Sequence, residues 1–384
     1  MIKGNFPIKE FQGLRTPFYY YDMGLLRRTL ETIGGILRQN PDYRLHYAVK
    51  ANSNPRILRT IASYGFGADC VSGGEIRAAL DAGFKPSSIV FAGVGKSDQE
   101  IILGLDKGIA RFNVESAAEL LVIDEIAGQK GLVAPVSLRV NPDIGAHTHA
   151  NITTGLAENK FGINYEQLPE VLNLTLSLRN VRFMGVHYHI GSQILDMDDF
   201  AALCNRANYV SEKIARAGID PGDINLGGGL GIDYHHPNHL DIADFKSYFD
   251  TFKRFLNTSP GQLVHFELGR AVVAPCGSLI SRVLYVKEGI SRKFAIIDGS
   301  MTELIRPALY KAYHRVENIS SDGPEEIYDV VGPVCESSDV FAKGASLDKC
   351  HRGDFIAIRS AGAYGESMAS GYNCHPLPNS FFGE

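Results

Sequence analysis

LHYAVKANSNPRILRTIASYGFGADCV, residues 45–71, holds the unit on which the fold turns. Its ends, LHYAV (45–49) and ADCV (68–71), are short apolar runs, and NPRILRTIAS between them has helical character. Near-continuous apolar strands alternating with amphipathic helices point to parallel strands covered on both faces. The unit recurs down the chain in SIVFAG (88–93), ARFNV (110–114), PVSLRV (135–140), FMGVHYHI (183–190), DINLGG (223–228) and VHFEL (264–268). GEIRAALDAG, SAAELLVIDEIAG and YEQLPEVLNLTL supply further helical segments between them. Eight strands in this span match a (β/α)8 barrel in size. The pattern also permits an open doubly wound sheet, and the strand count favours the barrel.

After residue 270 the rhythm changes. SLISRVLYV, KFAIID, EIYDVV and DFIAIRSAG are strand-like, and turn residues separate them. The expectation is an α/β chain: a barrel over 27–270, followed by a β-rich domain of 271–384 that also takes residues 1–26, with FYYYD (18–22) as its N-terminal strand.

Bulk properties narrow the function. The formal net charge is -5, from 38 Lys and Arg against 43 Asp and Glu. That balance disfavours a nucleic-acid binder, which carries a clustered basic excess. Six cysteines without a CxxC pair fit a reducing compartment. The N-terminal MIKGNFPIKEFQGLRTP has no apolar h-region, and no apolar run reaches membrane-spanning length. A cytoplasmic protein with a small-molecule substrate, and neither nucleic acid nor membrane as partner, is expected.

The chemistry-bearing residues follow the strands. Lys50 comes after the first, His189 closes the sixth, Gly227 to Gly229 follow the seventh, and Glu267 and Arg270 follow the eighth. In a barrel these positions converge on the C-terminal mouth, where barrel enzymes keep their sites. Lys50 is either a strand-end lysine snorkelling to solvent or, in a desolvated mouth, an amine able to attack a carbonyl. Glycines after strand 7 expose backbone N–H groups that suit a phosphate, and Arg270 adds a charged fork. Glu267 either faces a pyridine nitrogen or simply pairs with Arg270. His187 and His189 in HYHIGSQ lie on one side of a strand. A metal pair, a ring stacked on a cofactor and a packed core histidine are the three readings, with metal the least favoured. In SMTELIRPALY, Arg306 and Tyr310 lie one helical turn apart if that segment is helical. Cys335 beside Glu336 is consistent with a thiol acid next to an ammonium acceptor, or with a small hydrophobe at a strand end.

TPFYYYD, YAVKAN, ADCVSGGE, TTGLAENKFGI, GVHYHIGSQ, NLGGGLG, ELGR, RPALY, GPVCESSD and MASGYN, in that order, resemble the fold-type III pyridoxal-phosphate decarboxylases over nearly the whole chain. The resemblance is strongest to the branch that decarboxylates meso-2,6-diaminopimelate to L-lysine, a lyase step of amino-acid biosynthesis. It implies pyridoxal 5'-phosphate as cofactor, carried on Lys50, with His189 stacked on the ring and Glu267 at the pyridine nitrogen. It implies Ser192, Gly228, Gly229, Gly269 and Arg270 around the phosphate, with Tyr372 nearby. It implies Arg270, Arg306 and Tyr310 on the distal carboxylate, and Tyr372 also near substrate. Cys335, as proton donor, and Glu336, as acceptor for the distal ammonium, are expected from the second subunit of a homodimer. No metal is implied. Leu268 stands where the family usually has Pro, and Gly371 where Asn is common, which touches backbone stiffness and no chemical group.

Three other functions share this pattern. One is decarboxylation of ornithine, arginine or carboxynorspermidine, which would leave the arginine pair without a carboxylate. Another is a non-catalytic cofactor-binding homologue, against which Lys50 and Cys335 speak. The third is a racemase, which needs a second acid–base group on the opposite face of the ring.

Overall fold

The computed structural model describes residues 4–142 and 160–384. Residues 153–159 of the TTGLAENKFGI motif therefore lie outside the described residues. The chain divides into two compact units, one of Leu30–Gly231 with Asp244–Gly269, the other of Met1–Thr29, Ile232–Ala243 and Arg270–Glu384.

The first unit is a closed barrel of eight parallel strands, so the doubly wound alternative falls away. After β1 (Phe18–Asp22), which belongs to the other unit, they are β2 (Tyr43–Ala48), β3 (Gly67–Cys70), β4 (Ile89–Phe91), β5 (Arg111–Val114), β6 (Ala134–Arg139), β7 (Val181–His187), β8 (Asp223–Asn225) and β9 (Val264–Leu268). Closure comes from the register of β2 with β9, in which His46 lies opposite Glu267.

The alternation along β9 shows how sequence makes both faces. Phe266 points to the outer shell, its ring about 5.0 Å from Tyr43, Phe249 and Phe252. The helix Phe245–Phe255 presents Phe245, Tyr248, Phe249 and Phe252, spaced three and four apart, as its buried stripe. Removing a ring of this kind costs about 3–5 kcal/mol. The intervening His265 and Glu267 point inward.

That interior is polar and organised in tiers. Arg111 on β5 reaches across the barrel to Asp223 on β8, Nη2 to Oδ2 2.7 Å, and Asp223 also meets His265 Nε2 at 3.3 Å. His265 Nδ1 in turn lies 2.9 Å from His46 Nε2. Burial raises the Asp223 carboxyl, but His265 and Arg111 outweigh it and hold the group at about 2. Two residues further along β5, β8 and β9, the inward positions are Asn113, Asn225 and Glu267. A buried charge is tolerable only when paired, and each tier pairs its own.

Helix starts are written locally. Asn54 caps Pro55–Ser63, with Pro at the first turn, Ser72 caps Gly73–Asp81, and Ser97 with Glu100 forms a capping box for Asp98–Lys107.

The second unit is built on a sheet. β1 (Phe18–Asp22) pairs antiparallel with β10 (Gly277–Glu288) and parallel with β16 (Asn379–Gly383). The sheet runs β12 (Val316–Asn318), β15 (Phe355–Ile358), β10, β11 (Lys293–Ile297), β13 (Glu325–Val331) and β14 (Val340–Asp348). FYYYD thus joins this β-rich unit, as expected. Phe11, Phe18, Ile280 and Phe355 form one of its core clusters.

Domain boundaries at 26/27 and 270/271 miss one feature. Ile232–Ala243, which follows the glycine loop, is held in the second unit. Tyr234 accepts from Arg270 and Arg306, Asn238 bonds Glu317 and Arg359, and Asp241 accepts from Arg28. No helix among the described residues is long and apolar enough to cross a membrane.

Candidate active site

The barrel mouth gathers the expected lysine, histidine, glutamate and glycines. Lys50 lies in a single 3-10 turn, Val49–Ala51, directly after β2. Its side chain is 41% exposed, with Nζ 3.9 Å from Asp69 Oδ2. In the single chain the amine is therefore open to solvent. The turn carries the side chain out of the barrel wall into the open mouth, beside a carboxyl. Gly269 closes against this turn, where a Cβ would stand 2.8 Å from that of Ala51.

Asp69 is a residue the sequence reading passed over. It is 2% exposed, and its Oδ1 finds no hydrogen-bond partner among the described residues. Burial, then the charge of Glu267, push its carboxyl well above the usual range, while Lys50 pulls the other way. Lys50, Asp69 and Glu267 are thus electrostatic neighbours. The available signal was an acid inside the apolar run ADCV.

Glu267 is fully enclosed. Its carboxylate accepts from Asn225 Nδ2 at 2.7 Å and Asn113 Nδ2 at 3.1 Å, and lies 3.1 Å from His187 Nε2. Burial favours the protonated acid, but the charge and hydrogen bond of His187 and the bond from Asn225 win, holding it well below the ordinary carboxylate range. Glu267 is therefore an anion seated on three donors. His187 thus serves Glu267 through Nε2, while its Nδ1 has no hydrogen-bond partner among the described residues. Among the described residues, no group of three or more His, Cys, Asp or Glu side chains could hold a metal ion. Asn113 and Asn225 were also missed, although each is an amide inside a buried strand.

His189 is half-buried. Burial, then Arg139 and Lys50, hold its imidazole well below its ordinary value, so it is neutral. Its Nδ1 accepts from the Gly228 N–H at 3.4 Å, which puts the ring proton on Nε2. His189 thus touches the glycines after β8 and lies within the field of the Lys50 amine. The Gly228 amide, expected to serve a phosphate, is directed at His189 in this structure.

The glycine loop needs its glycines for close approach. A Cβ on Gly228 would fall 1.9 Å from the Glu267 carbonyl oxygen, and Gly229 has φ +114. The loop is tied to the one after β7, because Ile194 N–H donates to the Gly229 carbonyl at 2.9 Å and Gly231 N–H to that of Ile194 at 2.8 Å. This brings half-buried Ser192 alongside the glycines.

Beneath the mouth, Glu115 accepts from Arg139, from Gly93 N–H and from Gly162 N–H, while buried Lys96 bonds Glu119 at 2.6 Å. These charges brace the loops and were not anticipated.

In the second unit the segment Arg306–Tyr310 is helical, as Arg306 and Tyr310 required. Arg270 and Arg306 are both buried and share the hydroxyl of Tyr234, at 2.8 and 3.0 Å. The Arg270 guanidinium lies 5.0 Å from the Tyr364 ring centre. Cys335, Glu336 and Tyr372 form a separate exposed cluster, in which the Tyr372 hydroxyl donates to Glu336 at 2.8 Å and the Cys335 N–H to Asn373 at 3.4 Å. Tyr372 and Glu336 of one chain thus bond each other. The turn Tyr372–Cys374, with Asn373 at φ 52, folds that tyrosine back onto the ESSD loop.

Residues 27–274 match the family model described as the pyridoxal binding domain of pyridoxal-dependent decarboxylases. The chain is 61% identical to a diaminopimelate decarboxylase of Bacteroides thetaiotaomicron over 380 residues, covering 99% of this chain and 98% of that one. It is 41% identical to the Helicobacter pylori enzyme of the same name, over 95% of this chain and 90% of that protein. Its structure matches a mutant of diaminopimelate decarboxylase from H. pylori, crystallised with L-lysine, at a TM-score of 0.92 and 39% identity, covering 98% and 94% of the two chains.

Proposed function

The chain belongs to the pyridoxal-dependent decarboxylases, and from that premise we propose that it removes CO2 from meso-2,6-diaminopimelate and leaves L-lysine. The observation that carries the substrate is the full-length 61% identity to an enzyme of that name. L-lysine in the related crystal structure supports the product.

The mouth fits pyridoxal 5'-phosphate on its own chemistry. An aldehyde needs an amine, and Lys50 stands exposed at the mouth. A pyridine nitrogen needs an anion, and Glu267 is kept ionised by three donors. A flat ring needs a flat neighbour, which neutral His189 supplies. A phosphate needs backbone N–H groups that no side chain screens, and the glycine loop, with Gly227 at φ +66 and Gly229 at φ +114, is the segment that would supply them, beside Ser192 and Gly269. When bound, the cofactor accepts the electron pair released by the departing carboxylate.

The residues divide the remaining work. Lys50 would hold the cofactor through its amine, beside the buried Asp69 carboxyl at 3.9 Å. Arg270 and Arg306, with Tyr310, hold the distal carboxylate, and Glu336 the distal ammonium. Cys335 delivers a proton to the carbon that lost CO2. Exposure of Cys335, Glu336 and Tyr372 in a single chain supports a homodimer in which one subunit lends this cluster to its partner's site. Six free cysteines support a reducing, cytoplasmic setting.

The test is CO2 release from meso-diaminopimelate beside ornithine and L-lysine. Turnover of the first alone is expected, and comparable rates on ornithine would refute the substrate assignment.

A further inference from the structure

Tyr234 lies in Ile232–Ala243, the stretch that leaves the glycine loop for the second unit. It is buried, and both N–H···O bonds to its hydroxyl come from cations, Arg270 Nη1 at 2.8 Å and Arg306 Nη1 at 3.0 Å. The Arg306 guanidinium also rests 5.1 Å from the Tyr234 ring centre, and His314 meets that ring edge-on at 5.0 Å.

The atoms involved decide what this does. Arg306 spends Nη1 twice, on the Tyr234 oxygen and on His314 Nε2 at 2.8 Å. His314 is fixed from behind, because its Nδ1 bonds the Arg359 carbonyl at 2.8 Å. Among the described residues, nothing bonds Nε or Nη2 of Arg306. That pair is the side of a guanidinium that takes a carboxylate with two parallel bonds. One end of the fork is clamped by two neutral acceptors, and the other is left presented.

We propose that Tyr234 is a positioning residue for substrate recognition, whose hydroxyl, together with His314, locks Arg306 against Arg270 so that the Nε–Nη2 edge is set for the carboxylate that the reaction does not remove. The inference rests on the function proposed above and names the device that selects an amino-acid head over a plain amine. Two guanidiniums brought to one site repel each other, and an oxygen accepting from both offsets that repulsion without neutralising either. Consistently, burial raises the Tyr234 phenol but the two arginines outweigh it and lower it below its ordinary value. An Asp or Glu in this place would satisfy the arginines outright and compete with substrate.

The experiment uses holoenzyme with and without Tyr234→Phe. Calorimetric titration with L-lysine is expected to show affinity weakened about tenfold, the usual worth of a hydrogen bond to a charged group. KM for meso-diaminopimelate should rise in parallel, with kcat falling by a smaller factor. Unchanged affinity for L-lysine overturns the proposal, as does a loss confined to kcat. A second arm guards against a general folding defect. Arg306→Lys has no two-bonded edge to aim, so adding Tyr234→Phe to it should weaken L-lysine binding by less than about twofold. Full additivity overturns the proposal. A wild-type enzyme that releases no CO2 from meso-diaminopimelate refutes the function itself, whereas normal turnover with unchanged binding in Tyr234→Phe refutes this inference alone.

Discussion

Acid should loosen the second unit through His314, by an amount its surroundings set. The imidazole is enclosed, with Nδ1 on the Arg359 carbonyl and Nε2 on Arg306 Nη1. A carbonyl can only accept and a guanidinium only donate, so the geometry demands the neutral ring with its proton on Nδ1. A second proton would point at a cation. Burial first, and the Arg306 charge second, lower the group from 6.5 to about 3. In the unfolded chain the ring titrates near its ordinary 6.5, so below that pH the unfolded state binds a proton that the folded state refuses. Stability is whole above pH 6.5 and is lost as pH falls toward 3. The slope is about 1.4 kcal/mol per pH unit per proton, which gives a loss of about 2 kcal/mol between pH 7 and pH 5. His314→Gln keeps a donor and an acceptor but cannot titrate. It should cost about 1–3 kcal/mol at pH 7 through imperfect hydrogen bonds. Its stability should then fall less steeply in acid, so that the gap to wild type narrows by about 2 kcal/mol at pH 5. Urea unfolding of both proteins from pH 7.5 to 5 measures this, and every other titrating group cancels in the difference. Parallel curves would refute the assignment of a neutral His314.

Other expectations follow from the barrel mouth and the exposed cluster. Lys50→Ala should lose the visible absorbance of bound cofactor and at least about a thousandfold in kcat; borohydride should add the cofactor's mass to the Lys50 peptide of wild type and to nothing in the variant. Glu267→Gln keeps the shape but turns an acceptor into a donor facing Asn113, Asn225 and His187. It should lower kcat about a hundredfold with cofactor still bound, read by steady-state CO2 release beside the absorbance spectrum. Mixing inactive Lys50→Ala with inactive Cys335→Ala should restore up to about a quarter of wild-type activity if sites are shared across a two-fold dimer; no recovery after subunit exchange would place Cys335 in its own chain's site.

Much of the molecule was legible from residue order. The eight barrel strands could be read because parallel strands buried by helices need continuous apolar runs, and each run quoted above overlaps a strand. The lysine, glutamate and glycines were legible because they break those runs at strand ends, where a barrel collects them. Asn113, Asn225 and Asp69 were harder. Each lies inside an apolar run, and a single buried polar residue has no meaning until its partner is known. Their partners, Glu267 on β9 and Lys50 in the turn after β2, stand on other elements.

Sequence by itself determined the parallel barrel, the β-rich unit that recruits FYYYD, and the residue types of the chemistry, because periodicity and strand-end position are properties of neighbours along the chain. Tertiary structure alone decided three things: that Glu267 is held as an anion, that the Tyr364 ring lies beside Arg270, and that Tyr234 joins Arg270 to Arg306. Each depends on donors and acceptors separated by many residues and brought within about 3–5 Å, at which distance hydrogen bonds and charges act and sequence spacing no longer matters.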